Sequence, residues 1–320
     1  MRLFPGPGGS SWRRATRSDI PALSAFLEAE EAERVGFSGR LLTAEAGQAP
    51  SLRLPSPLRG AVWILDAPSG GASSSGASRA GRPAPALSGA LLCHPSRLAF
   101  PIFPEEADAD RGLALLAGPF APASAIGMAA DVLRYERLFG LEPKASVAYR
   151  LMTRDRAAPR SAAPRAASAS AAAPAYPGLS LRRAVPADLE ALMPLQEAYE
   201  REEVLTPVHE FNRAACRASL ARALERQLIF VAAEDGILVG KAGTNARGFS
   251  FDQVGGVYTL PERRGRGVAL ALMLALLEEV EASRKRPALF VKPENAPARA
   301  LYRRLGFEDI GDYRADYFEA

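Results

Sequence analysis

The stretch Gln253-Val-Gly-Gly-Val-Tyr-Thr-Leu-Pro-Glu-Arg-Arg-Gly-Arg-Gly-Val-Ala-Leu-Ala-Leu-Met-Leu274 decides how this chain of 320 residues is read. It runs from a strand through a basic glycine turn into a long apolar helix. Pro261 has no N–H to give a ladder and ends the strand, while Gly265 and Gly267 let the backbone turn without a Cβ clash. The turn opens onto a helix start, where the first N–H groups lack intrahelical acceptors and the macrodipole is positive. Arg263, Arg264 and Arg266 add charge there, so a phosphate or pyrophosphate is the guest this corner suits. Inside the strand, Gly255 and Gly256 predict a bulge or a close ligand approach.

Downstream lies Phe290-Val-Lys-Pro-Glu-Asn-Ala-Pro-Ala-Arg-Ala-Leu-Tyr-Arg-Arg-Leu-Gly-Phe307. Arg264-Gly-Arg-Gly-Val-Ala269 resembles the Arg/Gln-x-x-Gly-x-Gly/Ala signature of the GNAT acyl-CoA-dependent N-acyltransferases. The second stretch resembles that family's next strand and its Asn-x-x-Ala-x-x-Leu-Tyr-x-x-x-Gly-Phe helix. Two ordered motifs at the expected spacing carry more weight than a lone glycine turn.

The resemblance implies an α/β fold whose mixed, mainly antiparallel central sheet is flanked by helices, with acetyl-CoA as cosubstrate. It places the backbone amides of Arg264, Gly265, Arg266, Gly267, Val268 and Ala269 on the pyrophosphate. Val257, Tyr258 and Thr259 would pair through the main chain with the pantetheine arm, and Asn295 would touch the cofactor. Tyr302 would be the general acid that protonates the departing sulfur. Residue chemistry alone leaves other roles open: Asn295 is placed to cap a helix, and Tyr302 to pack as an aromatic. The general base is not fixed among Glu202, Glu203, His209, Glu210 and Asp252.

Bulk properties set the frame. With 48% apolar and 24% charged residues the chain is globular, and its length suggests two domains. A net charge of +4, spread among acidic residues, disfavours nucleic acid as the main partner. Cys93 and Cys216 suggest neither disulfide nor metal site, so buried, idle thiols are expected. Neither a signal-like apolar start nor an apolar run of about 18 residues occurs, so a soluble, cytoplasmic protein without membrane contact is expected.

An internal repeat supports two similar domains. Arg13, Arg14, Ala15, Asp19, Ala22 and Leu23 recur in order, without gaps, as Arg182, Arg183, Ala184, Asp188, Ala191 and Leu192. In each copy a strand leads to an Asp able to cap the following helix. The expected division is residues 1–155, a degenerate GNAT-like domain; 156–177, an Ala/Pro-rich linker; and 178–320, the catalytic domain. In the first, strands are expected at Ala61–Asp66, Leu87–Cys93, Gly112–Gly118 and Ser146–Met152, with a flexible loop over 67–86 and a helix over Ser124–Phe139. The cofactor turn of that copy is expected between Ala117 and Met128, where no basic Gly-x-Gly occurs.

The whole resembles bacterial tandem-GNAT proteins. It implies acetyl transfer to a primary amine, small-molecule or peptide, through a ternary complex, and allows the two domains to pair as a pseudo-dimer. The alternative is a non-catalytic acyl-CoA sensor or interaction module.

Overall fold

The computed structural model describes residues 12–43, 51–55, 61–67, 87–104, 113, 120–154 and 177–319. The expected loop beyond Ala67, the strand at Gly112–Gly118 apart from Leu113, and the linker up to Tyr176 lie outside them. The chain forms two compact units, Met1–Ala148 with Asp312–Ala320, and Tyr149–Gly311. They are not consecutive halves: the last strand of the chain serves the first unit.

The first unit opens with β1 (Trp12–Arg14), a 3-10 turn (Arg17–Asp19), α1 (Ile20–Ala29) and α2 (Glu31–Leu41). A short pair, β2 (Leu42–Thr43) with β3 (Ser51–Leu52), follows, then β4 (Ala61–Asp66), β5 (Leu87–Cys93), β6 (Leu98–Ile102), β7 (Ser124–Met128), α3 (Ala129–Phe139) and the start of β8 (Ala145–Thr153). Its sheet runs β1-β4-β5-β6-β7 and closes with residues from Asp312 onward of β14 (Glu308–Tyr317). Trp12, Leu91, Ala125, Val132 and Tyr135 form its core.

The helix expected over Ser124–Phe139 begins as a strand. Residues 124–128 alternate in burial at the period of two that a strand requires, and the helix starts only at Ala129. This moves the expected cofactor turn. β7 runs parallel to β6, so the loop corresponding to the basic turn of the second unit follows β6 rather than lying between Ala117 and Met128. The sequence there holds Glu105, Glu106, Asp108 and Asp110, outside the described residues.

The second unit takes Tyr149 to Thr153 of β8, then β9 (Leu179–Arg183), a 3-10 turn (Pro186–Asp188), α4 (Leu189–Tyr199), a π-helical turn (Glu200–Val204) and α5 (Arg213–Arg226). β10 (Ile229–Glu234), β11 (Ile237–Arg247), β12 (Phe251–Thr259), α6 (Val268–Ala282), β13 (Arg286–Val291) and α7 (Ala296–Arg304) complete it. The strand order is β8-β13-β12-β11-β10-β9, antiparallel except for β12 with β13. After α7 the chain runs on as the single strand β14.

Local chemistry sets these elements. Asp235 and Gly236 both have positive φ, 50° and 81°, as a two-residue hairpin matched to strand twist requires. Asn212 caps α5 by accepting from the Ala215 amide at 2.9 Å. On α6, Leu272, Met273, Leu276 and Val280 are fully buried among β-sheet residues and Tyr302, at about 1.5–3 kcal/mol each for the larger side chains. An all-round apolar helix is thus a core helix here, and among the described residues no helix is long and apolar enough to cross a membrane.

The repeat has one geometry in both units. Arg13 grips Asp19 at 2.9 and 2.8 Å, and Arg182 grips Asp188 at 2.7 and 2.7 Å. The carboxylates also accept from the amides of Thr16 at 2.7 Å and Val185 at 2.8 Å. The Asp therefore closes the turn before the helix instead of capping the helix with its side chain. The guanidinium holds Asp19 down at about 2 and lowers Asp188 in the same way.

Candidate active site: an open strand edge ending in a glycine turn

The site grows from a misfit between β12 and its neighbours. Phe251 to Val254 pair in parallel with Arg286 to Leu289, and the register ends there, while Phe290 and Val291 keep only their pairing with Leu151 and Arg150 of β8 on the opposite edge of β13. Gly255 to Thr259 therefore continue along β11 with their other edge free of β13. An unpaired run of N–H and C=O groups invites an extended ligand. On the β11 side the register skips from Lys241↔Tyr258 to Gly243↔Gly255, so Gly256 and Val257 oppose Ala242 alone. Gly256 sits at φ +61°, the conformation a glycine bulge needs, while a Cβ on Gly255 would lie 1.9 Å from the Asn245 side chain. Both glycines are thus explained, one by conformation and one by space.

The free edge leads through Pro261–Arg263 into the glycine turn, with Gly265 at φ +75° and Gly267 at φ +84°. Gly267 is the N-cap of α6 and its carbonyl accepts from Ala271 at 3.0 Å. The amides of Val268, Ala269 and Leu270 precede the first intrahelical bond and remain as donors. Nothing lies within 4 Å of a Cβ placed on Gly265, so the corner is open. These features fit a pyrophosphate group.

The three arginines expected to charge this corner separate. Arg263 pairs with Glu234. Arg264 donates to Glu202 at 2.8 Å and to the Thr259 carbonyl at 3.1 Å, and lies 5.4 Å from the Tyr258 ring centre. Tyr258 donates to the same Glu202 at 3.0 Å. Arg264, then Tyr258, hold the Glu202 carboxyl below its ordinary range, which makes it a clamp rather than a base. Arg266 stays exposed beside the turn.

On the far wall, Asn295 caps α7 by accepting from Ala298 at 3.1 Å, and its Nδ2 reaches Glu203 at 3.4 Å. Lys292 lies 3.4 Å from the other oxygen of Glu203. Tyr302 is 7% exposed and packs 6.0 Å from the Phe307 ring centre. Burial, then the charges of Tyr199 and Glu203, push its hydroxyl well above the usual tyrosine range, so it keeps its proton through neutral pH.

The other base candidates divide by position. Asp252 is fully buried and bonded to Lys285 at 3.0 Å and Arg247 at 3.1 Å. It lies on the paired half of β12, where both oxygens are consumed, and is a structural charge. Glu203 remains beside Tyr302, whereas Glu210 is exposed and His209 bonds to Thr206 at 2.7 Å.

Two residues at the bulge escaped the sequence reading. Lys241 is 5% exposed, donates to the Gly256 carbonyl at 3.0 Å and lies 4.2 Å from the Tyr199 ring centre. Its burial lowers its pKa to about 8, against the opposing charges of Glu200 and Cys216. Tyr199, pushed up to about 12 by burial and Glu203, faces the Gly256 main-chain N–H. A lysine inside Ile237-Leu-Val-Gly-Lys-Ala-Gly243 was the available signal, since a cation in an apolar run must find a partner. The thiols behave as expected: both are buried and their pKa values rise to about 12.

Comparison with known proteins follows this geometry. No curated protein matches the sequence. Among solved structures, a tandem GNAT protein from the clavulanic acid biosynthesis pathway is 16% identical, with TM-score 0.55 over 97% of this chain and 99% of that one. A GCN5-related N-acetyltransferase from Sphaerobacter thermophilus is 19% identical, with TM-score 0.51 over 98% and 97%. At these identities the likeness is one of fold, and it extends over both units. Residues 190–307, within the second unit, match the model of the acetyltransferase (GNAT) family.

Proposed function

We propose that the second unit is an acetyl-CoA-dependent N-acetyltransferase that acts on a primary amine, small-molecule or peptide, through a ternary complex, in a cytoplasmic setting. The observation that carries this reading is the free edge of β12 running into an open, left-handed glycine turn at a helix N-terminus. Acetyl-CoA supplies an activated acyl thioester. The amides of Arg264, Gly265, Arg266, Gly267, Val268 and Ala269 would bind its pyrophosphate, assisted by the Arg266 charge. The main chain of Val257, Tyr258 and Thr259 would align the pantetheine arm, and Asn295 would contact the cofactor while capping α7.

Tyr302 holds a proton at neutral pH and would deliver it to the leaving sulfur. Glu203, whose charge acts on Tyr302 and whose oxygens face Asn295 and Lys292, would attract an ammonium acceptor, with the general base open among Glu203, His209 and Glu210. The first unit is read as a degenerate copy without a pyrophosphate grip. Four carboxylates follow β6 in sequence where the second unit carries arginines, and their charge repels phosphate.

Calorimetry with acetyl-CoA on the full chain tests this, alongside Gly267→Glu, which puts bulk and negative charge into the corner. One site per chain, lost in the variant, is expected; binding indifferent to Gly267 overturns the placement. In an amine screen, Tyr302→Phe is then expected to lose turnover and keep acetyl-CoA affinity. A chain that binds acetyl-CoA and acetylates no amine would be a sensor instead.

A further inference from the structure

The peptide that joins Gly256 to Val257 is held by a buried cation. Lys241 reaches it from β11 and donates to the Gly256 carbonyl at 3.0 Å. Burying an ammonium is costly, and here the hydrogen bond goes to a main-chain oxygen rather than a carboxylate. The Tyr199 ring, 4.2 Å away, offsets part of that cost through its π face. The Gly256 N–H faces the Tyr199 hydroxyl, and its carbonyl is engaged by Lys241 outside the ladder.

A trans peptide points its C=O and N–H in opposite directions. Once the Gly256 oxygen is drawn toward Lys241 on the β11 side, the Val257 N–H must point away from β11, toward the edge of β12 that β13 leaves free. A cation on the oxygen also polarises the peptide and strengthens that N–H as a donor.

We propose that Lys241 is a positioning residue that aims and polarises the Gly256–Val257 peptide, so that the Val257 N–H recognises the carbonyl oxygen of a bound acyl thioester. This rests on the reading of the second unit as an acyl-CoA site and adds the residue by which the site distinguishes an acylated from a free thiol carrier. No covalent change to Lys241 is involved.

The test needs no acceptor amine. Dissociation constants for acetyl-CoA and for CoA are measured by calorimetry on the full chain, from pH 6.5 to 9, for the native protein, Lys241→Met and Lys241→Arg. CoA lacks only the acetyl group, so a change in the ratio of the two constants between native and variant protein reports on contacts to that group. In Lys241→Met the preference for acetyl-CoA over CoA is expected to fall roughly 3- to 10-fold, the worth of one hydrogen bond, with CoA affinity within about twofold of native. Lys241→Arg keeps a cation and is expected to restore part of the preference.

The native preference is also expected to decline above pH 8, as the ammonium loses its proton, and to be flat with pH in Lys241→Met. The groups facing Lys241 are Tyr199 on α4, Glu200 on the π-helical turn, Cys216 on α5 and Tyr258 on β12. Tyr199 and Cys216 titrate near 12, and Tyr258 is raised above the ordinary tyrosine range, so these three keep their protons across this window.

An unchanged ratio in Lys241→Met, or a native ratio independent of pH, overturns the proposal. Loss of CoA binding along with acetyl-CoA in Lys241→Met marks Lys241 as a fold residue and overturns it too. Native protein that binds neither ligand removes the acyl-CoA reading, and this inference with it.

Discussion

Gly255 and Gly256 are neighbours that resist a methyl group for different reasons, and mutation separates them. Alanine at 256 must hold φ +61° and lies 3.1 Å from the Lys241 Nζ, whereas alanine at 255 meets the end of an exposed, movable Asn245. Gly256→Ala is therefore expected to cost about 1–2 kcal/mol and Gly255→Ala less, by urea unfolding. A reversed order would show that space, not conformation, governs the bulge. Asp252 makes a second residue-scale case. Asp252→Asn leaves two cations facing a neutral amide and is expected to destabilise the protein by about 3 kcal/mol. Were Asp252 the base, the variant would instead keep its melting temperature and lose only turnover.

At the scale of elements, β11 carries a stability cost that its neighbour uses. The Lys241 pKa falls from 10.5 to about 8, worth about 3 kcal/mol against the folded state. Because the folded pKa lies below the unfolded one, the cost is complete below pH 8 and disappears as pH rises toward 10.5. Lys241→Met is expected to raise stability at pH 7, with the gain shrinking between pH 8 and 10.5 in denaturant titrations. A pH-independent difference would mean that the ammonium is solvated in the native protein. A residue that weakens the fold while ordering a ligand-facing peptide follows the usual exchange of stability for function.

The π-helical turn works in the same direction. Its Glu202 ties Arg264 and Tyr258 together, joining the segment after α4 to the end of β12. Glu203, the next residue, faces Asn295 and Lys292 across the site. Adjacent carboxylates thus serve one as a fastening and the other as a group beside the proposed acid.

For the whole molecule, the decisive feature is that the last strand, from Asp312 onward, belongs to the first unit. Tyr313 to Tyr317 pair with Ser124 to Met128, and Tyr313, Ala315 and Asp316 are buried there. A chain ending at Gly311 should therefore lose protection in the first unit, while β10 to β12 of the second retain theirs, measured by amide hydrogen exchange. Equal loss in both units would mean that the two do not unfold separately.

What the sequence determined is what short-range backbone chemistry dictates. Gly265 and Gly267 could only be a turn before α6, Asn295 could cap, and Asp235-Gly236 could close a hairpin, because each depends on residues a few positions apart. The repeated Arg-Arg-Ala start, and with it the tandem fold, was legible for the same reason. Leu98–Ile102 was missed as a strand because its Pro101 reads against one, and Ser124–Met128 passed for helix because a short apolar run has no unambiguous period.

Tertiary structure alone decided the rest. The parting of β12 from β13, the grip of Lys241 and Tyr199 on Gly256, the neutralisation of Arg264 by Glu202 and the home of the last strand all join residues distant in the chain. Their partners are chosen by packing and by the need to satisfy buried charge, and neither is written in local spacing.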